Sequence, residues 1–219
     1  MFQSPPDPLE TRPQEFVSAR GRWVSLRPIS RDDVPTLFKW HSDLSNLHLW
    51  SSDRRLYSAE NFNSGYPNFV SGAIVVLISD SAGLPIGFIR AFDLNFSDGW
   101  LKLTVVVNDV ANRRLEALEA TALFIDYMFS SFPLRKIYSG VPEYDVDTLA
   151  FLERAGFVRE GRDVDYIWHG DKFWDVVQLS LFRSAWDETR KELLRLADLA
   201  VDLNSALDGD GRHEVRLSV

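Results

Sequence analysis

The 219-residue chain contains no cysteine. That excludes disulfides, thiolate metal ligands and a cysteine nucleophile. Its four histidines show no paired spacing, so no zinc site is expected. Positive charge is scarce: 24 Lys and Arg against 32 Asp and Glu leave a net charge of −8. A surface of that sign disfavours general binding to nucleic acid or anionic membrane, and leaves room only for a local basic patch. The pair Arg54-Arg55, preceded by Asp53, is too short to make one for nucleic acid. No apolar run approaches the ~20 residues of a membrane-spanning helix. The opening Met1-Phe-Gln-Ser-Pro-Pro-Asp-Pro8 lacks the apolar stretch and basic start of a signal peptide, and a cytoplasmic protein is expected. Gly-x-Ser-x-Gly, Walker and dinucleotide-binding motifs are absent, as are internal repeats.

What is present is enough apolar and aromatic material, 45% and 13% of residues, to fill a substantial core. Residues 1–20, Pro-rich and polar, read as a loose arm. Gly21–Pro28 reads as a strand. Ser30, with Asp33 three residues on, reads as the N-cap of a helix carrying Leu37, Phe38 and Trp40. Residues 42–57 are irregular. Ser58 opens a second short helix that Gly65 and Pro67 should break. Three strands follow, 73–80, 86–94 and 100–107, joined by Gly-containing turns as an antiparallel meander. Residues 115–129 form a helix, 136–141 a strand and 145–156 an amphipathic helix ended by Gly156. Residues 157–168 and 173–182 are strands around the hairpin His169-Gly-Asp-Lys172. A charged helix over 186–203 caps the sheet or mediates a dimer, and residues 204–219 read as frayed. The order predicts a mixed α/β (α+β) fold, with strand–helix–strand units toward the C-terminus.

The segment Asp145-Val-Asp-Thr-Leu-Ala-Phe-Leu-Glu-Arg-Ala-Gly-Phe157 carries the most specific signal. With Gly161-Arg162, Gly170, Asp175 and Trp186 at matching spacing, it resembles the last third of a GNAT N-acyltransferase. The similarity is greatest to the ribosomal-protein-alanine acetyltransferase-like branch, and it extends over roughly 22–186. It implies a GNAT domain at 21–186, between an arm at 1–20 and a C-terminal helix and tail at 187–219. The implied sheet is twisted and mostly antiparallel, of about six to seven strands flanked by helices. The implied chemistry is transfer of an acyl group, acetyl by default, from CoA to a primary amine of a small molecule or protein N-terminus, without a metal.

Within that resemblance, Thr148 stands where the branch has Ser, near the donor sulfur. Its hydroxyl is suited to protonate the leaving thiolate or hold the donor; the alternative is a helix cap or packing role. Asp145 replaces the usual Asn, and an N-cap role is its alternative. Members of the family open the long helix with Arg/Gln-x-x-Gly-x-Gly/Ala, whose bare N–H groups grip pyrophosphate. Here Asn112-Arg113-Arg114-Leu115-Glu116-Ala117 has no glycine, and Arg113 and Arg114 offer side-chain charge instead. The implied donor contacts are Val106, Val107, Asn112, Arg113, Arg114, Ala117, Asp145 and Leu152. An attacking alkylammonium must lose a proton, and His41, Asp93 and Tyr166 are the base or relay candidates. Lys102 stands where some relatives place a catalytic Glu. The departures keep two further readings open. One is a carrier-protein or aminoacyl-tRNA donor; the other is a non-catalytic GNAT-like binding domain. Either a monomer or a homodimer fits.

Overall fold

In the computed structural model, residues 19–43, 55–108, 113–193 and 195 are described. The expected helix over 186–203 and the arm at 1–20 therefore lie partly outside them, and the expected tail at 204–219 wholly so. Strands β1 (Ala19–Arg20) and β2 (Val24–Pro28) lead into a 3-10 turn at Arg31–Asp33 and helix α1 (Val34–His41). Helix α2 (Ala59–Val70) precedes the meander β3 (Ile74–Asp80), β4 (Pro85–Asn95) and β5 (Trp100–Val107). Helix α3 (Arg114–Ser131), strand β6 (Lys136–Pro142) and helix α4 (Val146–Arg154) come next. The hairpin β7 (Val158–His169) and β8 (Lys172–Phe182) is followed by helix α5, described over 183–193.

Eight strands form one sheet in the order β1-β2-β3-β4-β5-β6-β8-β7. Every neighbouring pair is antiparallel except β5 and β6, which the α3 crossover makes parallel. Strand alternation divides the core. On one face Ile89, Ala91, Leu101, Leu103, Ile137 and Leu179 pack with Ala120, Phe124 and Met128 of α3 and with Leu149 and Leu152 of α4. On the other, Val75, Leu77, Phe88 and Val106 pack under Leu37 and Trp40 of α1 and Tyr66 of α2.

Local signals explain most boundaries. Asp33 accepts hydrogen bonds from the Ser30 backbone N–H at 2.7 Å and hydroxyl at 3.0 Å, fixing the chain ahead of α1. The expected break at Gly65 and Pro67 does not occur, since α2 continues to Val70. Proline removes one backbone donor and crowds the preceding turn. Burial of Tyr66, whose hydroxyl donates to the Ile29 carbonyl at 3.3 Å, outweighs that cost. Helix α4 ends at Gly156 with φ of 81°, and the Phe157 N–H returns to the Leu152 carbonyl at 3.0 Å. A Cβ at Gly156 would come within 2.2 Å of the Thr189 hydroxyl, so glycine also lets α5 approach.

A buried carboxylate joins α3 to β2. Glu119 accepts from the backbone N–H groups of Arg22, Trp23 and Val24 at 2.6, 2.7 and 3.0 Å. No helix among the described residues is long and apolar enough to cross a membrane.

Candidate active site

The parallel strands β5 and β6 pair only briefly, at Trp100–Lys136, Leu101–Ile137 and Lys102–Tyr138. Beyond that, Leu103–Val107 stay bonded to β4 and Ser139–Pro142 to β8, but not to each other. The sheet therefore opens as a wedge toward the C-terminal ends of both strands. Its two lips carry the backbone N–H and C=O groups that a third extended chain would satisfy. Helices α3 and α4 start just after the ends of β5 and β6. Both N-termini are thus delivered to the wedge mouth, where the helix dipoles favour negative charge.

Val106 and Val107 line the end of β5, buried on opposite faces of the sheet. Ala117 is buried against α3's neighbours, and Asn112 lies outside the described residues. Arg113 is the N-cap residue of α3, and its carbonyl accepts the Ala117 N–H at 3.0 Å. Its guanidinium is 3.4 Å from Asp80 and 3.9 Å from Glu116. Two carboxylates thus claim a cation that sequence offered to phosphate. Arg114 is exposed and makes no ion pair among the described residues.

At α4, Asp145 accepts the Thr148 N–H at 3.1 Å, so it is an N-cap. Thr148 lies half-buried in the first turn, and its hydroxyl makes no hydrogen bond among the described residues. Leu152 is part of the main core.

The α1–α2 face changes character below the cover of those helices. Alternation puts Arg90 and Phe92 of β4 and Trp100, Lys102 and Thr104 of β5 on it. Between Phe92 and Asn95 the register shifts, and Asp93 takes a φ of 50°. The bulge breaks the alternation and brings the Asp93 carboxylate to 2.9 Å from the Lys102 ammonium, both groups half exposed. A carboxylate is therefore present beside Lys102, supplied by the neighbouring strand. Across the base of the wedge, Trp100 meets Tyr138 edge-on at 5.8 Å.

Next to Tyr138, the buried Lys136 ammonium bridges to Glu160 at 2.8 Å and lies 4.3 Å from the Tyr138 ring centre. Burial alone would lower the Lys136 pKa, but hydrogen bonds with Glu160 and Tyr138 outweigh it and raise the value. The same bond to Lys136 holds Glu160 below the usual carboxylate range.

His41 ends α1 between the rings of Tyr57 and Phe62, at 5.4 and 5.2 Å. Tyr166 is 68% exposed on β7, the edge strand, two strands beyond β6. Val106, Val107, Arg113, Arg114, Asp145 and Thr148 thus come together around the wedge, with Asp93 one strand away. Tyr166 does not join them. Arg90, Lys136, Tyr138 and Glu160 were missed from sequence, although a lone Arg in the apolar run Ile86-Gly-Phe-Ile-Arg90 was a signal. Among the described residues no group of three or more His, Asp or Glu side chains is placed to hold a metal.

The fold has counterparts among known proteins. Residues 24–158, more than half of the chain, match the family model described as the acetyltransferase (GNAT) domain. A spermidine N-acetyltransferase from Vibrio cholerae, solved with CoA and spermine, is 19% identical with a TM-score of 0.67 over 74% of this chain and 97% of that one. A dodecameric structure of the Vibrio cholerae enzyme in an intermediate state gives 18%, 0.64, 74% and 95%. A third, with manganese ions, gives 17%, 0.64, 76% and 96%. No curated protein sequence matches. At such identities the structural likeness speaks for the fold alone.

Proposed function

The chain belongs to the GNAT acetyltransferase family, and from that premise we propose that it moves an acetyl group from acetyl-CoA to a primary amine. The observation that carries this reading is the wedge between β5 and β6, whose lips, not paired with each other, fit the amide-bearing arm of CoA. The thioester then lies near Thr148, with the acceptor on the face that carries Asp93. The amine nitrogen bonds to the acetyl carbon as the carbon–sulfur bond breaks. One proton leaves the ammonium before attack; a second leaves the nitrogen as the tetrahedral intermediate collapses, and the departing thiolate takes up one in its place. Thr148 supplies a hydroxyl for the second task. For the first, Asp93 is the better placed carboxylate, and His41 or Tyr166 would have to act through water.

CoA is chosen as donor partly because a structural neighbour was solved with it. The same neighbour's spermine makes a small-molecule amine the first acceptor class to consider. The resemblance of 145–186 to the ribosomal-protein-alanine branch supports a protein N-terminus as the second.

One observation favours a different donor. Arg113 is engaged by Asp80 and Glu116 in a turn without glycine, which weakens the grip on a pyrophosphate. A carrier-protein thioester or aminoacyl-tRNA would place its phosphates elsewhere. The deciding experiment is thermal unfolding with acetyl-CoA, longer acyl-CoAs and free CoA. A donor at a hundred times its Kd should stabilise the protein by about 2.7 kcal/mol. No shift with any CoA would end the CoA reading; a shift without turnover on any amine would favour a non-catalytic domain.

A further inference from the structure

The acceptor face holds a cation that the fold does not use up. Arg90 stands on β4 opposite Thr104 of β5, one strand from the wedge and just past the last β5–β6 pair. Its guanidinium lies 5.4 Å from the ring centre of Phe69 on α2 and 4.9 Å from that of Phe92. Nε donates to the Phe69 carbonyl at 3.2 Å. A guanidinium carries five N–H donors, and the four on its two Nη atoms have no hydrogen-bond partner among the described residues. Burial lowers the Arg90 pKa, with nearby Asp93 partly offsetting it, yet an arginine stays charged. Asp93 spends its close contact on Lys102, at 2.9 Å. The two aromatic rings and the Phe69 carbonyl hold the fork in one orientation, with one parallel N–H pair, one donor from each Nη, left for a planar oxyanion.

We propose that the amine acceptor carries an oxyanion, a carboxylate or a phosphate, and that Arg90 is the side chain that binds it. This inference rests on the acetyl-transfer reading above. Lys102 adds a second positive charge on the same face. Three carboxylates of that face are engaged: Asp93 with Lys102, Glu160 with Lys136, and Asp163 with the Gln178 amide at 2.6 Å. Such a surface suits an amino acid or an amino phosphate better than a polyamine. A polyamine would bring several positive charges against Arg90 and Lys102, where Asp93, Glu160 and Asp163 already have partners. Within the acceptor, the anion on Arg90 and the amine near the wedge would be roughly one strand spacing apart, ~5 Å, which a short molecule spans.

The test measures release of the CoA thiol with matched acceptors: α-amino acids and their neutral amides, phosphoethanolamine and glucosamine 6-phosphate with ethanolamine and glucosamine, and spermidine. The expected result is a kcat/KM at least about 10-fold higher for one anionic series than for its neutral counterpart. The amino-acid and amino-phosphate arms separate carboxylate from phosphate. Arg90→Gln should raise the KM for the anionic acceptor roughly 10–100-fold and leave that of the neutral amine unchanged. Arg90→Lys, which keeps the charge but loses the fork, should fall between. Acetyl-CoA should stabilise both variants as it does the natural chain, which shows that they fold. Equal rates for anionic and neutral acceptors in both series, a preference for spermidine, or an equal loss on both acceptors in Arg90→Gln would overturn the inference while leaving the acetyl-transfer reading intact. A chain that binds no acyl-CoA would overturn both.

Discussion

The two faces of the sheet are built differently. The face under α3, α4 and α5 is largely apolar, and its buried carboxylate, Glu119, is closed off by three backbone N–H groups. The face under α1 and α2 is apolar only where those helices lie. At the end of α2 it turns to Arg90, held by Phe69, and then to Asp93, Trp100, Lys102 and Tyr138. Covered surface reflects folding, whereas partly exposed charges and rings beside an opening in the sheet mark the place for chemistry.

Substitutions should keep the two faces apart. The largest effect expected is on the closed face. Glu119→Ala strands three N–H groups and should cost about 3 kcal/mol in urea unfolding, with kcat of the folded fraction unchanged. Gly21→Ala should act in the same direction, because its Cβ would meet the Glu119 carboxylate within 2.2–2.5 Å. Asp93→Asn on the open face should do the reverse: kcat/KM falls roughly 100-fold while the unfolding midpoint stays put. Thr148→Ala should lower kcat about 10-fold with little change in acetyl-CoA affinity; equal turnover would remove the hydroxyl from the chemistry. Replacing Arg114 should weaken donor binding more than replacing Arg113, since Arg113 is held by Asp80 and Glu116.

The smallest effects should come from pH. Burial alone would raise the Asp33 pKa, but bonds from Arg27 and Ser30 hold it low, as Lys136 does for Glu160. Their stabilisation is complete above the ordinary carboxylate pKa and is lost as pH falls through the lowered values, below about 4. Lys136, raised above 10.5, stabilises fully below that pH and loses its contribution as pH climbs through its folded value. Unfolding midpoints across pH 2–12 should show both flanks, and Lys136→Met should remove the alkaline one.

Much of the fold was legible because its signals are local. Strand β5 was read at its observed ends, 100–107, and Ser30, Ser58 and Gly156 mark helix boundaries by their own chemistry. Pro67 misled because Tyr66, one residue away, gains more from burial than the helix loses. The two-residue strand β1 is too short to carry a pattern.

The site was legible only in part. Thr148 and Asp145 could be placed by motif, but the wedge depends on strand pairing that stops after three residues. Arg90 gains its setting from Phe69, 21 positions earlier, and Asp93 reaches Lys102 through a bulge that no local sequence pattern announced. Contacts of that kind arise from register and packing, which periodicity does not encode.

The central claim is that an acyl-CoA arm lies between β5 and β6. Amide hydrogen exchange with and without saturating acetyl-CoA tests it most directly. Bound donor should slow exchange at the wedge lips, 104–107 and 139–141, and at the first turns of α3 and α4, leaving β2 and β3 unchanged. Exchange that is unaltered at both lips, or slowed only elsewhere, would contradict the account.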